Sequence, residues 1–204
     1  MKLTAAALLA AALLLAAAVP SLAAPPPDKG KIMGSTSAPV TIEIFADFEC
    51  PMCKRFHEEE LPLLVRDFVN SGKVCIVARE FPLKIAEHKY SRQAANFATA
   101  AARIGEYDAV ANVLFHTQES WGETGKVWET VASVLKPDQQ KKVQALAGDP
   151  SVLAEVEADY NYAVASGINA TPTLILTRGN KRFPASGGVL EYSLLKQMIN
   201  DLLK

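Results

Sequence analysis

The chain has 204 residues, half of them hydrophobic and 21% charged, and its 21 lysines and arginines balance 22 acids to a net charge of −1. That is enough apolar material for one compact domain with a real core. The dispersed, balanced charge excludes the broad basic surface that nucleic acid binding needs, so no nucleic acid partner is expected.

Met1 and Lys2 precede an apolar, alanine-rich run that ends at Pro20 and is followed by "SLAA". This pattern reads as a secretory signal peptide over residues 1–23, with Ser21 and Ala23 at the small-residue positions of the cleavage site. An uncleaved membrane anchor is the competing reading of the same run. Either way the domain is expected outside the cytoplasmic membrane, periplasmic or secreted, where disulfides form and persist. Residues 24–33, rich in proline and glycine, read as a linker, and the folded domain is expected over residues 34–204.

"PVTIEIFADF" alternates Val40, Ile42 and Ile44 against Thr41, Glu43 and Phe45 and predicts a strand. A helix is predicted from Pro51 to Gly72, with Pro51 at its first position and Pro62 kinking it. "KVCIVAREFPL" is a second strand, which with the first closes a right-handed βαβ crossover. A helical block follows from about His88 to Ser166, an insertion spanning about residues 84–167, with Asp149 and Pro150 opening its last helix and Gly167 closing it. Strands return in "TPTLILTRG" and "KRFPASG", and an amphipathic helix from Tyr192 to Leu203 ends the chain.

"DFECPMCKRFH" holds Cys50 and Cys53, two of the chain's three cysteines, where the first strand hands over to the helix. A sulfur at that point faces the unpaired amides of the first helical turn, which with the helix dipole favour the thiolate. Cys50 is therefore expected to be the reactive thiol and a good leaving group, with Cys53, one turn further on, the resolving thiol. A structural disulfide is the poorer reading, because so short a ring removes little chain entropy. Copper or zinc held by Cys50, Cys53 and His57 remains an alternative, although His88 and His116 lie in the distant helical block and no fourth ligand is clustered nearby. Cys75, flanked by Val74 and Ile76 on a strand, reads as a buried thiol. Trp121 and Trp128 read as core or cap residues of the insertion.

The segments "APVTIEIFADFECPMC", "VAREFPL", "QAANFATAAARIGEYDAVANVLF" and "GINATPTLIL" together resemble the DsbA-like thiol:disulfide oxidoreductases of the thioredoxin-fold superfamily. The resemblance runs from about Gly34 to Leu203. It implies an α/β thioredoxin-like fold with a helical insertion between its βαβ and ββα halves, and an enzyme that oxidises reduced polypeptide substrates through the Cys50–Cys53 couple. It makes Pro51 and Met52 active-site neighbours, and it places a cis Thr171–Pro172 peptide beside the CxxC. No dissociable cofactor and no metal are implied. A membrane quinone-linked partner of the DsbB or vitamin K epoxide reductase type is the implied reoxidant. Two departures stand out. The position six before the first cysteine, an acid in many relatives, is Ile44 here, and the residue before Cys53 is Met52 where the best-known members have histidine. Both bear on how oxidising the pair is, and hence on whether the same fold serves as an oxidase or as a reductase or isomerase.

Overall fold

The computed structural model describes residues 24–185 and 191–204. The expected signal peptide, and the end of the "KRFPASG" segment, lie outside the described residues.

Five strands form one sheet: β1 (Ile32–Met33), β2 (Val40–Ala46), β3 (Val74–Glu80), β4 (Thr173–Arg178) and β5 (Lys181–Ala185), in the order β1-β3-β2-β4-β5. β2 and β3 are parallel, paired from Val40–Val74 to Ala46–Glu80, and the other neighbours are antiparallel. The parallel pair is joined by a helix, α1, over residues 51–69. Pro62 does not break this helix. The turn before it, Phe56–Glu60, is wide, and Leu61 donates to the Phe56 carbonyl five residues back, which accommodates a residue without an amide hydrogen.

The insertion comprises α2 (Ser91–Ala102), α3 (Tyr107–His116), α4 (Gln118–Thr124), α5 (Val127–Ala132), α6 (Pro137–Leu146) and α7 (Pro150–Ala165). It begins at Ser91, since residues 81–90 form an irregular connection rather than the start of a helix. The Asp149 carboxylate caps α7 through the Ser151 amide at 2.8 Å, and Gly167 ends it at φ +75°. Trp121 is fully buried and donates to the Leu114 carbonyl, while Trp128 packs on Phe97. The closing helix, α8 (Tyr192–Leu203), lays Leu195 and Ile199 against Ile42, Leu64 and Leu176 on one sheet face. Cys75 is buried on β3, and its burial raises its pKa.

The stretch expected as a linker is instead partly built into the domain. Lys29–Lys31 form a 3-10 turn, β1 adds an edge strand to β3, and Lys31 is 1% exposed. The physical reason is a buried ionic cluster that the sequence scatters along the chain. Lys31 Nζ lies 3.1 Å from Glu155, 3.3 Å from Asp159 and 3.6 Å from Glu80. Arg79 joins Asp159 at 2.9 Å to Glu43 at 2.8 Å, and donates to the Pro25 carbonyl. Burial alone would lower the Lys31 pKa, but Glu80, Asp159 and Glu155 together raise it. Gly30 fits because it has no side chain: a Cβ there would sit 2.3 Å from the Ala102 carbonyl oxygen.

Removing one partner from a buried cluster strands the others. Lys31→Met, which keeps the stem and loses the charge, is expected to destabilise the protein by about 3–5 kcal/mol in urea unfolding; a loss below about 1 kcal/mol would show that the cluster does not hold the N-terminal segment. Glu80 adds a pH dependence, because burial pushes its carboxyl up to about 7 despite Lys31. Its ionised form is disfavoured in the folded state. The associated stability is therefore complete below the ordinary value of 4.5 and is lost as pH rises through about 7. The stability of Glu80→Gln relative to wild type should accordingly increase between pH 5 and pH 8; a constant difference would contradict the shift.

Candidate active site

β2 is the central strand, and its end delivers the chain into a tight turn, with the Cys50 amide donating to the Asp47 carbonyl at 3.1 Å. Cys50 then stands at the N-cap of α1 with extended backbone, φ −79° and ψ 118°, and Pro51 follows as the first helical residue. Cys50 and Cys53 are both buried and carry free thiols, while Pro51 and Met52 are exposed, Met52 at 38%. The Thr171–Pro172 peptide is cis. It brings the Thr171 carbonyl to 3.3 Å from Cys50 Sγ, and Pro172 lines a cavity with Cys53. The six residues singled out in the sequence thus converge on one place, although Thr171 lies 121 positions from Cys50.

The two sulfurs are electrostatically unequal. The Cys53 thiol, acting against burial, is the main cause that lowers the Cys50 pKa to about 6, helped by the Thr171 side chain and the Cys53 and Met52 amides. The Thr171 hydroxyl is otherwise without a partner among the described residues. Cys53 moves the other way: burial, then the neighbouring Cys50, raise it well above the ordinary thiol value. At neutral pH the couple therefore carries one thiolate, on Cys50.

Behind Cys53 lies a cavity of about 40 Å³, room for one or two waters, whose wall includes Ile44, Ala46, Tyr107 and Phe115. Ile44 faces this space and Glu43 faces the opposite side of the sheet, where it pairs with Arg79. Tyr107, on the cavity wall, donates to Glu80 at 3.0 Å. His57 also lines the cavity, where it bonds Asn112 at 2.7 Å and stacks on Phe115; burial lowers its pKa.

Several residues that hold the CxxC escape sequence reasoning. The Asp47 amide donates to Cys53 Sγ at 3.5 Å, and its carboxylate accepts from the amides of Glu49 and Leu83, from Ser91, and from His88. Glu49 accepts from the amides of Tyr90 and Ser91 at the start of α2. Gln118, from α4, donates to the carbonyls of Phe48 and Cys50. The one local signal was two acids, in "DFEC", immediately before a buried motif.

These features match known proteins. The family model described as "Thioredoxin" matches residues 28–185, and the chain belongs to that family. Within it, its architecture is DsbA-like. Disulfide bond formation protein D of Bacillus subtilis is 27% identical over 190 residues, covering 88% of this chain and 80% of that one. Na(+)/H(+) antiporter NhaA 3 of Salinispora tropica is 32% identical over 150 residues, but the chain spans only 22% of its length. Among solved structures, Wolbachia pipientis alpha-DsbA1 superposes with TM-score 0.70 at 22% identity over 84% of this chain and 89% of that one. A thioredoxin-like oxidoreductase from Silicibacter pomeroyi gives TM-score 0.67 at 27% identity over 83% and 90%.

The lowered Cys50 pKa has a direct readout. Thiolate absorbance at 240 nm in the reduced protein should appear with a midpoint near pH 6 and vanish in Cys50→Ser. Because the folded value lies below the ordinary 9.0, the stability it lends the reduced protein is complete above pH 9.0 and is lost as pH falls through about 6. A midpoint near 9 would contradict the geometry.

Proposed function

We propose that this thiol:disulfide oxidoreductase works as an oxidase outside the cytoplasmic membrane, introducing disulfides into secreted or periplasmic polypeptides. The inequality of the two sulfurs is the observation that carries this reading. Stabilising the Cys50 thiolate stabilises the reduced couple and so makes the disulfide a better oxidant. With a Cys50 pKa of about 6 rather than 9.0, the effect at pH 7 is about 1.4 kcal/mol, or about 30 mV for two electrons. It grows towards pH 9.

In the oxidised protein, a substrate thiolate attacks Cys50 Sγ. The Cys50–Cys53 bond breaks, and Cys53 leaves and takes up a proton, as its raised pKa requires. The substrate's second thiolate then attacks the substrate sulfur of the mixed disulfide and expels Cys50 as a stable thiolate. The substrate is oxidised by two electrons and the couple is reduced. Thr171, whose carbonyl lies beside Cys50, together with Pro172 forms the surface against which an extended substrate segment would lie. Reoxidation is assigned to a quinone-linked membrane partner of the DsbB or vitamin K epoxide reductase type. The apolar run before Pro20 supports an extracytoplasmic setting. Among the described residues no helix is long and apolar enough to cross a membrane.

Oxidative refolding of a reduced, disulfide-containing substrate tests the reading. Wild type should accelerate it stoichiometrically, Cys50→Ser should lose the activity, and Cys53→Ala should accumulate a mixed disulfide through Cys50. A potential as low as about −270 mV, that of a dedicated reductant, would assign the opposite direction.

A further inference from the structure

The turn that carries Cys50 contains two buried carboxylates, Asp47 and Glu49, 1% and 9% exposed. Negative charges placed so near Cys50 oppose a thiolate unless they are neutralised. The connection between β3 and α2 supplies both answers. Glu49 is held by the Tyr90 and Ser91 amides at the head of a twelve-residue helix. Asp47 is paired with His88, Nδ1 to Oδ2 at 2.7 Å. The other cations nearby in sequence are directed elsewhere: Lys84 lies over the Tyr160 ring, Lys89 is exposed, and Arg92, in α2, pairs with Glu157. Asp47 itself touches both cysteines through its backbone, accepting from the Cys50 amide and donating to Cys53 Sγ.

We propose that His88 is a positioning residue for the thiol chemistry: its imidazolium, clamped on Asp47, supplies the positive charge that Met52 withholds from inside the CxxC and holds the turn that presents Cys50. The inference rests on Cys50 being the reactive thiolate. The groups facing His88 are Asp47 and Glu49 from the turn and Cys50 at the head of α1, with Glu87 and Lys89 exposed beside it on its own loop. The hydrogen bond to Asp47, outweighing burial, raises the His88 pKa, and the charges of Asp47, Glu49 and Cys50 add to it. The imidazolium therefore persists to higher pH than in a free histidine and is lost as pH rises past the raised value. That loss weakens the thiolate.

Interaction between two titrating groups is reciprocal. Thiol titration at 240 nm and potential measurement against glutathione should be compared for wild type, His88→Gln and His88→Lys. His88→Gln retains a donor for Asp47 without charge, and His88→Lys retains the charge. The glutamine variant is expected to bind the Cys50 proton three- to tenfold more tightly and to have a lower potential, by at most about 30 mV for a tenfold change. The lysine variant should recover part of both. An unshifted Cys50 midpoint in a folded His88→Gln protein would reduce His88 to a packing role. Should that variant fail to fold, the wild type decides by NMR: the His88 midpoint should be higher in reduced than in oxidised protein, and equal midpoints would overturn the proposal. The titration reads Cys50 whichever way the couple runs, so a failed oxidase assay and a failed role for His88 are separate outcomes.

Discussion

A sulfur at the head of a helix is stabilised as a thiolate only while the helix start is held still, and this constraint organises the molecule around Cys50. The N-cap position sets Cys50 at the head of the helix, where the Met52 and Cys53 amides help to lower its pKa, and Pro51 begins the helix without needing an acceptor of its own. Three separate parts of the chain then fix the turn. The connection before α2 binds the Asp47 and Glu49 carboxylates, Gln118 binds the Phe48 and Cys50 carbonyls, and Thr171 closes over the sulfur. The helical insertion is thus structural support for the active site as well as added core.

Charge is handled on the two sides of the sheet in different ways. Near the cysteines, carboxylates are neutralised by a titratable imidazole and by backbone amides, so the balance responds to pH. On the far side and at the N-terminal edge, Lys31, Arg79, Glu43 and Asp159 form buried ion pairs with little access to water, and Glu80 joins them with a carboxyl that titrates near 7. The net stability such a cluster contributes is smaller than its number of ion pairs suggests, because desolvation offsets much of the attraction. Glu80 stands between these regimes: it belongs to the cluster, yet through Tyr107 it reaches the wall of the cavity behind Cys53.

What is legible in the sequence is what is local or carried by a motif. Strand alternation in "VTIEIF", the proline after Cys50 and the glycine stops place β2, α1 and the helical block within a few residues, and the resemblance at "GINATPTLIL" places Thr171 and Pro172. Lys31 is not legible, because a lysine in a proline- and glycine-rich stretch has every mark of a solvated tether until its partners at Glu80, Glu155 and Asp159 are known. His88, Ser91 and Gln118 escape for a similar reason: each acts on the CxxC turn across some 40 to 70 positions through isolated polar contacts, which leave no periodic trace. Pro62 is instructive in another way, since its missing amide predicts an interruption but not that a wide turn can absorb it.

The N-terminal edge also has a consequence in time. Lys31 must reach Asp159 across 128 positions, and Arg79 reaches the same carboxylate across 80. In a chain that emerges N-terminus first, the βαβ unit can form from contacts within residues 40–80, but Lys31 has no acceptors at Glu155 and Asp159 until α7 has arrived. Full anchoring of the first strand is therefore a late step in assembly, since Glu80 alone of the three acids lies in the βαβ unit and the other two close a long loop near the end. Until then the outer edge of β3 is an open template for another chain.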